Sequence, residues 1–101
     1  MRTDEYEGQD GLALAGLVAR GQVTPAELME CALQLAEERG APLNALTYVQ
    51  PETGRKLASG WTERGLFRGI PFLLKDSGLP SVRFPSSLGS ALFDDTEYAF
   101  D

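Results

Sequence analysis

Histidine is absent from this sequence, and cysteine occurs once, at Cys31. Without histidine the chain excludes Ser-His-Asp and Cys-His nucleophilic chemistry as well as histidine-ligated metal sites. A single cysteine excludes an intrachain disulfide and a cysteine metal cluster. No apolar run reaches the roughly 18 to 20 residues that cross a bilayer. We therefore expect no metal, no cofactor and no membrane span, while catalysis by a lysine base stays open.

Basic residues are also scarce. Nine lysines and arginines stand against fifteen acidic residues, which gives a formal charge of -6. Contact with a nucleic-acid backbone needs clustered lysine and arginine, so the sequence predicts no nucleic-acid partner. The early acids Asp4, Glu5 and Glu7 differ from the basic leader of a secretory signal, and we expect a cytoplasmic protein. A length of 101 residues with 43% hydrophobic content is typical of one globular domain.

Helical patterns occupy much of the first sixty residues. Helices are predicted at about 11–20, 24–39 and 51–60. The second is the best marked, because Thr24-Pro25-Ala26-Glu27 combines an N-cap, a proline at the first helical position and a capping-box glutamate. Its apolar stripe from Leu28 to Ala36 favours a protein core over a partner-binding face, although an interaction module built on the first two helices stays open.

Two short apolar runs predict strands at about 45–49 and 70–74. The second run ends at Lys75 and follows turn residues, so we expect a strand that is buried on both faces. A lysine at the end of such a strand loses hydration, which favours the neutral amine of a general base. On spacing alone, a strand that reaches solvent and ends in an ordinary charged residue stays open. A loop is predicted at 76–89, and Asp94-Asp95-Thr96 resembles the cap of a further helix.

The residues around this lysine also resemble a known family. Gly69-Ile70-Pro71-Phe72-Leu73-Leu74-Lys75-Asp76 resembles the lysine motif of the amidase signature family. Three more segments resemble family segments in the expected order, namely Leu17 to Leu28, Leu43 to Leu46, and Leu88 to Leu92. Each match is weak by itself, but the four together are specific, and they extend from residue 17 to residue 92.

The resemblance implies an α/β fold and an activity. The fold would consist of N-terminal helices and the first strands of a mixed sheet, with residues 1–101 as an incomplete, N-terminal fragment of a single amidase domain. The activity would be hydrolysis of amide C–N bonds in a small-molecule substrate by a Ser–cis-Ser–Lys triad, with Lys75 as the base. Asp76 would support the lysine turn, and Gly69 and Pro71 would shape the entry to the strand. The segment that carries both family serines has no counterpart here, so we expect the chain alone to be inactive.

The serines after the lysine do not replace the missing ones. The family does not draw its nucleophile from the position of Ser86, Ser87 or Ser90, and serine is common in turns. The stretch that contains these serines, like Ser77-Gly78 before it, differs from the residues that are most common at these positions in the family. The amide substrate is therefore left unassigned. Two alternatives to an amidase stay open, a non-catalytic interaction module and a degenerate, inactive fragment. The fragment would expose strand edges, through which it could associate with itself.

Overall fold

A computed structural model describes residues 1–62, 64–76, 81–85 and 99. The chain divides into two units. The first unit holds residues 1–46 and 50–71, and the second holds residues 47–49 and the chain from Phe72 onward. The helices of the described residues lie in the first unit, and they are α1 (Thr3–Glu7), α2 (Gly11–Ala19), α3 (Pro25–Leu35) and α4 (Pro51–Gly60). A wider π-helical turn, Ala36–Gly40, continues α3.

Local hydrogen bonds fix both ends of α2. The Asp10 side chain caps its start by accepting a first-turn backbone N–H at 2.8 Å. At its end Gly21 has a positive φ of 71°. The N–H of Gly21 donates to the carbonyl of Val18 at 3.0 Å, and the N–H of Gln22 donates to the carbonyl of Leu17 at 2.9 Å. This Schellman arrangement satisfies carbonyls at the helix end and turns the chain toward α3.

A reciprocal cap fixes the start of α3. The Thr24 Oγ1 accepts the N–H of Glu27 at 3.2 Å, and the Glu27 carboxylate accepts the N–H of Thr24 at 2.7 Å. Pro25 occupies the first helical position, where the missing N–H leaves no hydrogen bond unmade. The backbone hydrogen bond from Thr24, followed by the one from its hydroxyl, holds the pKa of Glu27 below its ordinary value. The ionised carboxylate is therefore the form that closes the cap.

The core of the first unit forms around this cap. Val23 and Leu28, which flank the cap at the staple positions, are 5% and 0% exposed. Leu14 of α2 completes the buried cluster, which we call the corner cluster. Tyr6 of α1 and Ile70 pack against it from outside. Three helices and one returning segment thus share a small core.

Helix α4 packs along α3. A Cβ added to Gly54 of α4 would lie 3.0 Å from the sulfur of Met29, so the glycine makes room for that side chain. The Arg55 guanidinium donates to both carboxylate oxygens of Glu30, at 2.6 and 3.3 Å, and to Glu52 at 2.6 Å. These side chains are exposed, and exposed ion pairs contribute at most about 1 kcal/mol each. Their main effect is to orient α4 against α3, since their contribution to the free energy of unfolding is small.

The helices α2, α3 with its π-helical turn, and α4 lie at the positions where the sequence predicts helices. The sequence pattern does not predict α1, which has only five residues. None of the helices in the described part of the chain is long and apolar enough to cross a membrane. The predicted cap at Asp94-Asp95-Thr96 lies outside the described residues, as do 77–80 and 86–89 of the predicted loop.

The predicted α/β class is wrong for the residues that the structure describes. About half of them are helical, and neither 45–49 nor 70–74 forms a strand or belongs to a sheet. A strand needs a neighbouring segment with which to form a ladder of backbone hydrogen bonds, and no two segments of the described residues pair in this way. Ile70 packs on helices instead, whereas Phe72 and Leu73 are 79% and 72% exposed. Apolar composition indicated burial but did not specify which partner would bury these residues.

We expect Thr24→Ala to lower the free energy of unfolding of the chain by about 1 kcal/mol, because it removes the oxygen that caps α3. Urea denaturation followed by circular dichroism measures this loss. Thr24→Ser retains the capping oxygen and serves as the control, with stability close to that of the parent chain. An alanine variant as stable as the serine variant would contradict the role of the cap.

The same cap predicts a pH dependence. Because folding lowers the pKa of Glu27, its contribution is fully present above the carboxyl pKa of the unfolded chain and is lost as pH falls through the folded value. The stability difference between the parent chain and Glu27→Gln should therefore shrink on acidification. Urea denaturation of both proteins at neutral and acidic pH tests this. A difference that stays constant down to pH values below both pKa values would contradict it.

Candidate functional site

The lysine segment, residues 69–76, begins at a tightly packed glycine. Gly69 has a φ of 77°, which lies in the left-handed region that favours glycine. A Cβ added there would lie 2.7 Å from Cγ and 3.1 Å from Cβ of Pro25. Backbone conformation and space therefore both require glycine at this position. The proline that Gly69 contacts is the one that begins α3.

The next residue fixes the segment to the core. The N–H of Ile70 donates to the carbonyl of Phe67 at 3.1 Å, and its side chain packs against the corner cluster. Pro71 follows and is half-buried. Gly69 and Pro71 were predicted to shape the entry to a strand. Gly69 does close a packed turn, but no strand follows it in residues 70–76.

Lys75 lies in the second unit and is exposed. The three residues before it, Phe72, Leu73 and Leu74, are 79%, 72% and 43% exposed. The expected loss of hydration at Lys75 is therefore not seen in this chain, since the apolar run that would exclude water from the ammonium is itself exposed. Asp76 is half-buried and has an interaction partner. Its predicted support of the lysine turn stays a prediction.

The serines that the sequence analysis discussed, Ser86, Ser87 and Ser90, lie outside the described residues. Ser81, in the second unit, was not singled out from the sequence. It is 6% exposed, and its Oγ accepts the N–H of Arg83 at 3.1 Å. This is a local side-chain-to-backbone bond that stabilises a turn. Within the described ranges, no hydrogen bond joins Lys75 to a serine.

A shallow groove of about 320 Å³ lies between α3 and α4 in the first unit, and it is lined by Ala26, Glu27, Glu30, Arg55 and Ser59. Its polar groups already have partners. Arg55 pairs with Glu30, and Glu27 closes the cap of α3. The Ser59 hydroxyl donates to the carbonyl of Arg55 at 2.9 Å. The groove therefore contains no nucleophile beside a free base, and no metal-binding group of three or more suitable side chains occurs in the described part of the chain.

Comparison with curated proteins shows that this chain is similar to mycobacterial proteins. The protein named "Putative amidase AmiC" of Mycobacterium bovis is 35% identical to it over 78 residues, and the match covers 72% of this chain and 16% of that protein. Proteins of the same name from two strains of Mycobacterium tuberculosis match with the same identity and coverage. No protein-family model matches the chain, and no solved structure matches it. The chain thus contains an amidase-related region, and it spans 16% of the length of these relatives.

The length of the match determines which elements the amidase-related region must include. One stretch that covers 72% of the chain includes its middle wherever the stretch begins and ends. Helix α4 and the segment Gly69-Ile70-Pro71 lie within that middle part. The amidase-related region therefore includes the packed start of the lysine segment.

We expect Gly69→Ala to destabilise the chain by more than about 1 kcal/mol, because the left-handed backbone and the contact with Pro25 both oppose a Cβ. Gly60→Ala is the matched control. Gly60 ends α4 and has open space around its missing Cβ, so alanine there should be neutral or stabilising. Urea denaturation of the two variants distinguishes them, and equal stabilities would contradict the packed turn. Adding Pro25→Ala to Gly69→Ala should recover part of the loss.

Proposed function

We propose that this chain is the N-terminal fragment of a single cytoplasmic amidase domain of the amidase signature family, which hydrolyses amide C–N bonds. The observation that carries the proposal is the 35% identity to the mycobacterial protein across 72% of this chain. The four segments that resemble family segments, in the expected order, support it further. The substrate class is a small-molecule amide.

Lys75 is the base in this proposal. As a neutral amine it accepts a proton from a bridging cis serine, which accepts one from the serine that attacks the amide carbonyl. Backbone N–H groups stabilise the tetrahedral oxyanion, the proton then passes to the leaving amine, and water releases the acyl group. Neither triad serine has a counterpart in this sequence, so the 101-residue chain is inactive by itself.

The exposure of the lysine segment is consistent with an incomplete domain. A lysine needs a desolvated site to be a neutral amine near neutral pH, and Lys75 here is exposed. Phe72, Leu73 and Leu74 expose apolar surface directly before it. In the complete enzyme, polypeptide that the relatives have and this chain lacks would cover these residues and remove water from Lys75.

A second candidate function is that of a degenerate fragment that binds another chain. Contiguous exposed apolar residues mark interaction surfaces, and Phe72 to Leu74 form such a run. The bound chain would be a second copy, which gives self-association. The apolar stripe of α3 is a poorer candidate for binding, because Leu28 and Cys31 are buried within the first unit.

The first test is an amide-hydrolysis assay of the purified 101-residue chain with a panel of aryl and aliphatic amides. We expect no turnover, because the triad serines are absent. Turnover that Lys75→Ala removes would contradict the assignment of the chain as an inactive fragment. Sedimentation of the same sample over a range of concentrations tests the second candidate, since self-association predicts a mass that rises with concentration.

The second test supplies the missing polypeptide. In a chimera, this chain replaces the matching segment of the mycobacterial protein, and Lys75→Ala is compared with Lys56→Ala, which alters the other lysine of the chain. Loss of the base should lower kcat/KM by about 10²–10⁴-fold, whereas the exposed Lys56 should have little effect. Circular dichroism checks that both variants fold. Equal activities would overturn the base assignment, and a folded but inactive parent chimera would count against the amidase proposal itself.

A further inference from the structure

Residues 1–7, which comprise α1 and the two residues before it, lie against α3 at the thiol of Cys31. The thiol donates to the carbonyl of Met1 at 3.3 Å, and Cys31 is 4% exposed. Tyr6 of α1 packs against the corner cluster, and its burial raises the pKa of the phenol. Burial likewise raises the pKa of the Cys31 thiol. The covered thiol therefore lies beneath a short surface element rather than deep within the unit.

One ion pair connects the end of α1 to the end of α3. Both carboxylate oxygens of Glu7 accept hydrogen bonds from the two terminal nitrogens of Arg39, one of them at 2.9 Å. Glu7 is the last residue of α1, and Arg39 lies in the π-helical turn that continues α3. Arg39 is 65% exposed and Glu7 is 35% exposed, so salt and competing ions reach the pair.

Helix α1 has little stability of its own. Five residues are too few for a helix that is stable in water, because nucleation outweighs the gain from one turn. Its internal bonds, from Arg2 to Asp4 and from the N–H of Arg2 to Glu5, are exposed. The helix is therefore held by docking, through the Glu7–Arg39 pair, Tyr6 and the contact at Met1. A segment held in this way opens at lower free energy than the whole unit.

We propose that α1 is a strap, latched by the Glu7–Arg39 ion pair, whose opening gives reagents access to Cys31 while the rest of the first unit stays folded. The ion pair lies on the surface and the thiol lies beneath the strap. Weakening the ion pair therefore raises the fraction of molecules in which the strap is open and the thiol is accessible. Ionic strength, or an anion that competes for Arg39, then sets the reactivity of Cys31.

The test is the rate at which Ellman's reagent labels the native chain at fixed pH. Cys31 is the sole cysteine, so the signal reports this site alone. Glu7→Gln should label about two- to five-fold faster than the parent chain, as expected for loss of an exposed ion pair. Glu52→Gln removes the same charge from the exposed pair with Arg55 on α4, and it should label at the parent rate.

Exchanging the two charges distinguishes the latch from a general loss of stability. The single variants Glu7→Arg and Arg39→Glu should both label faster, while the double variant should return toward the parent rate, because it restores an ion pair. Raising the salt concentration to about 1 M should accelerate labelling of the parent chain more than that of Glu7→Gln, so that the difference between their rates becomes smaller. Parent-rate labelling of Glu7→Gln, or equal acceleration by Glu52→Gln, would overturn the proposal.

The dependence of the labelling rate on urea concentration distinguishes local opening of the strap from global unfolding of the chain. If the strap opens alone, labelling at low urea should be faster than global unfolding allows and should depend only weakly on urea, since little surface becomes exposed. A labelling rate that follows the global unfolding equilibrium in every variant would also overturn the proposal.

Discussion

The cap at Thr24 and the contact between Val23 and Leu28 across it are the features on which the first unit depends. The cap sets the direction in which the chain enters α3. Val23 and Leu28 form the apolar surface on which Leu14 packs. The proline inside the same cap then receives Gly69. The six residues 23–28 therefore start a helix, begin a core and fix the place where a segment more than forty residues later returns.

The lysine segment changes character within a few residues. Gly69 and Ile70 are held by contacts that any side chain at position 69 would disturb. Phe72 and Leu73 are largely exposed although they are as apolar as Ile70. The contacts of Gly69 and Ile70 explain why these residues are packed, whereas the exposure of Phe72 and Leu73 gives no such explanation within the described part of the chain. The contacts of Gly69 and Ile70 therefore explain the structural part of the motif, and the proposed catalytic role of Lys75 needs a separate explanation.

Sequence reasoning succeeded where the determining interactions are local. The cap of α3 uses residues within a few positions of the helix start, so its pattern can be read directly from the sequence. The prediction of a strand at 70–74 was wrong. An apolar run indicates that burial is favourable, but it does not specify which other segment buries it. The expected desolvation of Lys75 depended on that strand and was lost with it. Helix α1 was missed because its stability comes from docking to α3, which no local pattern records.

The exposure of Lys75 bears on what the lysine motif can contribute to catalysis. A general base near neutral pH needs a free amine, and the free amine of a lysine is favoured only where water is excluded or another cation lies nearby. The exclusion of water does not follow from the sequence of residues 69–76, since the same residues leave Lys75 exposed in this chain. The proposed role of Lys75 as a catalytic base therefore requires further polypeptide that covers Phe72 to Leu74. The motif then supplies the amine and a fixed starting point at Gly69, and the rest of the domain supplies the environment in which that amine can accept a proton.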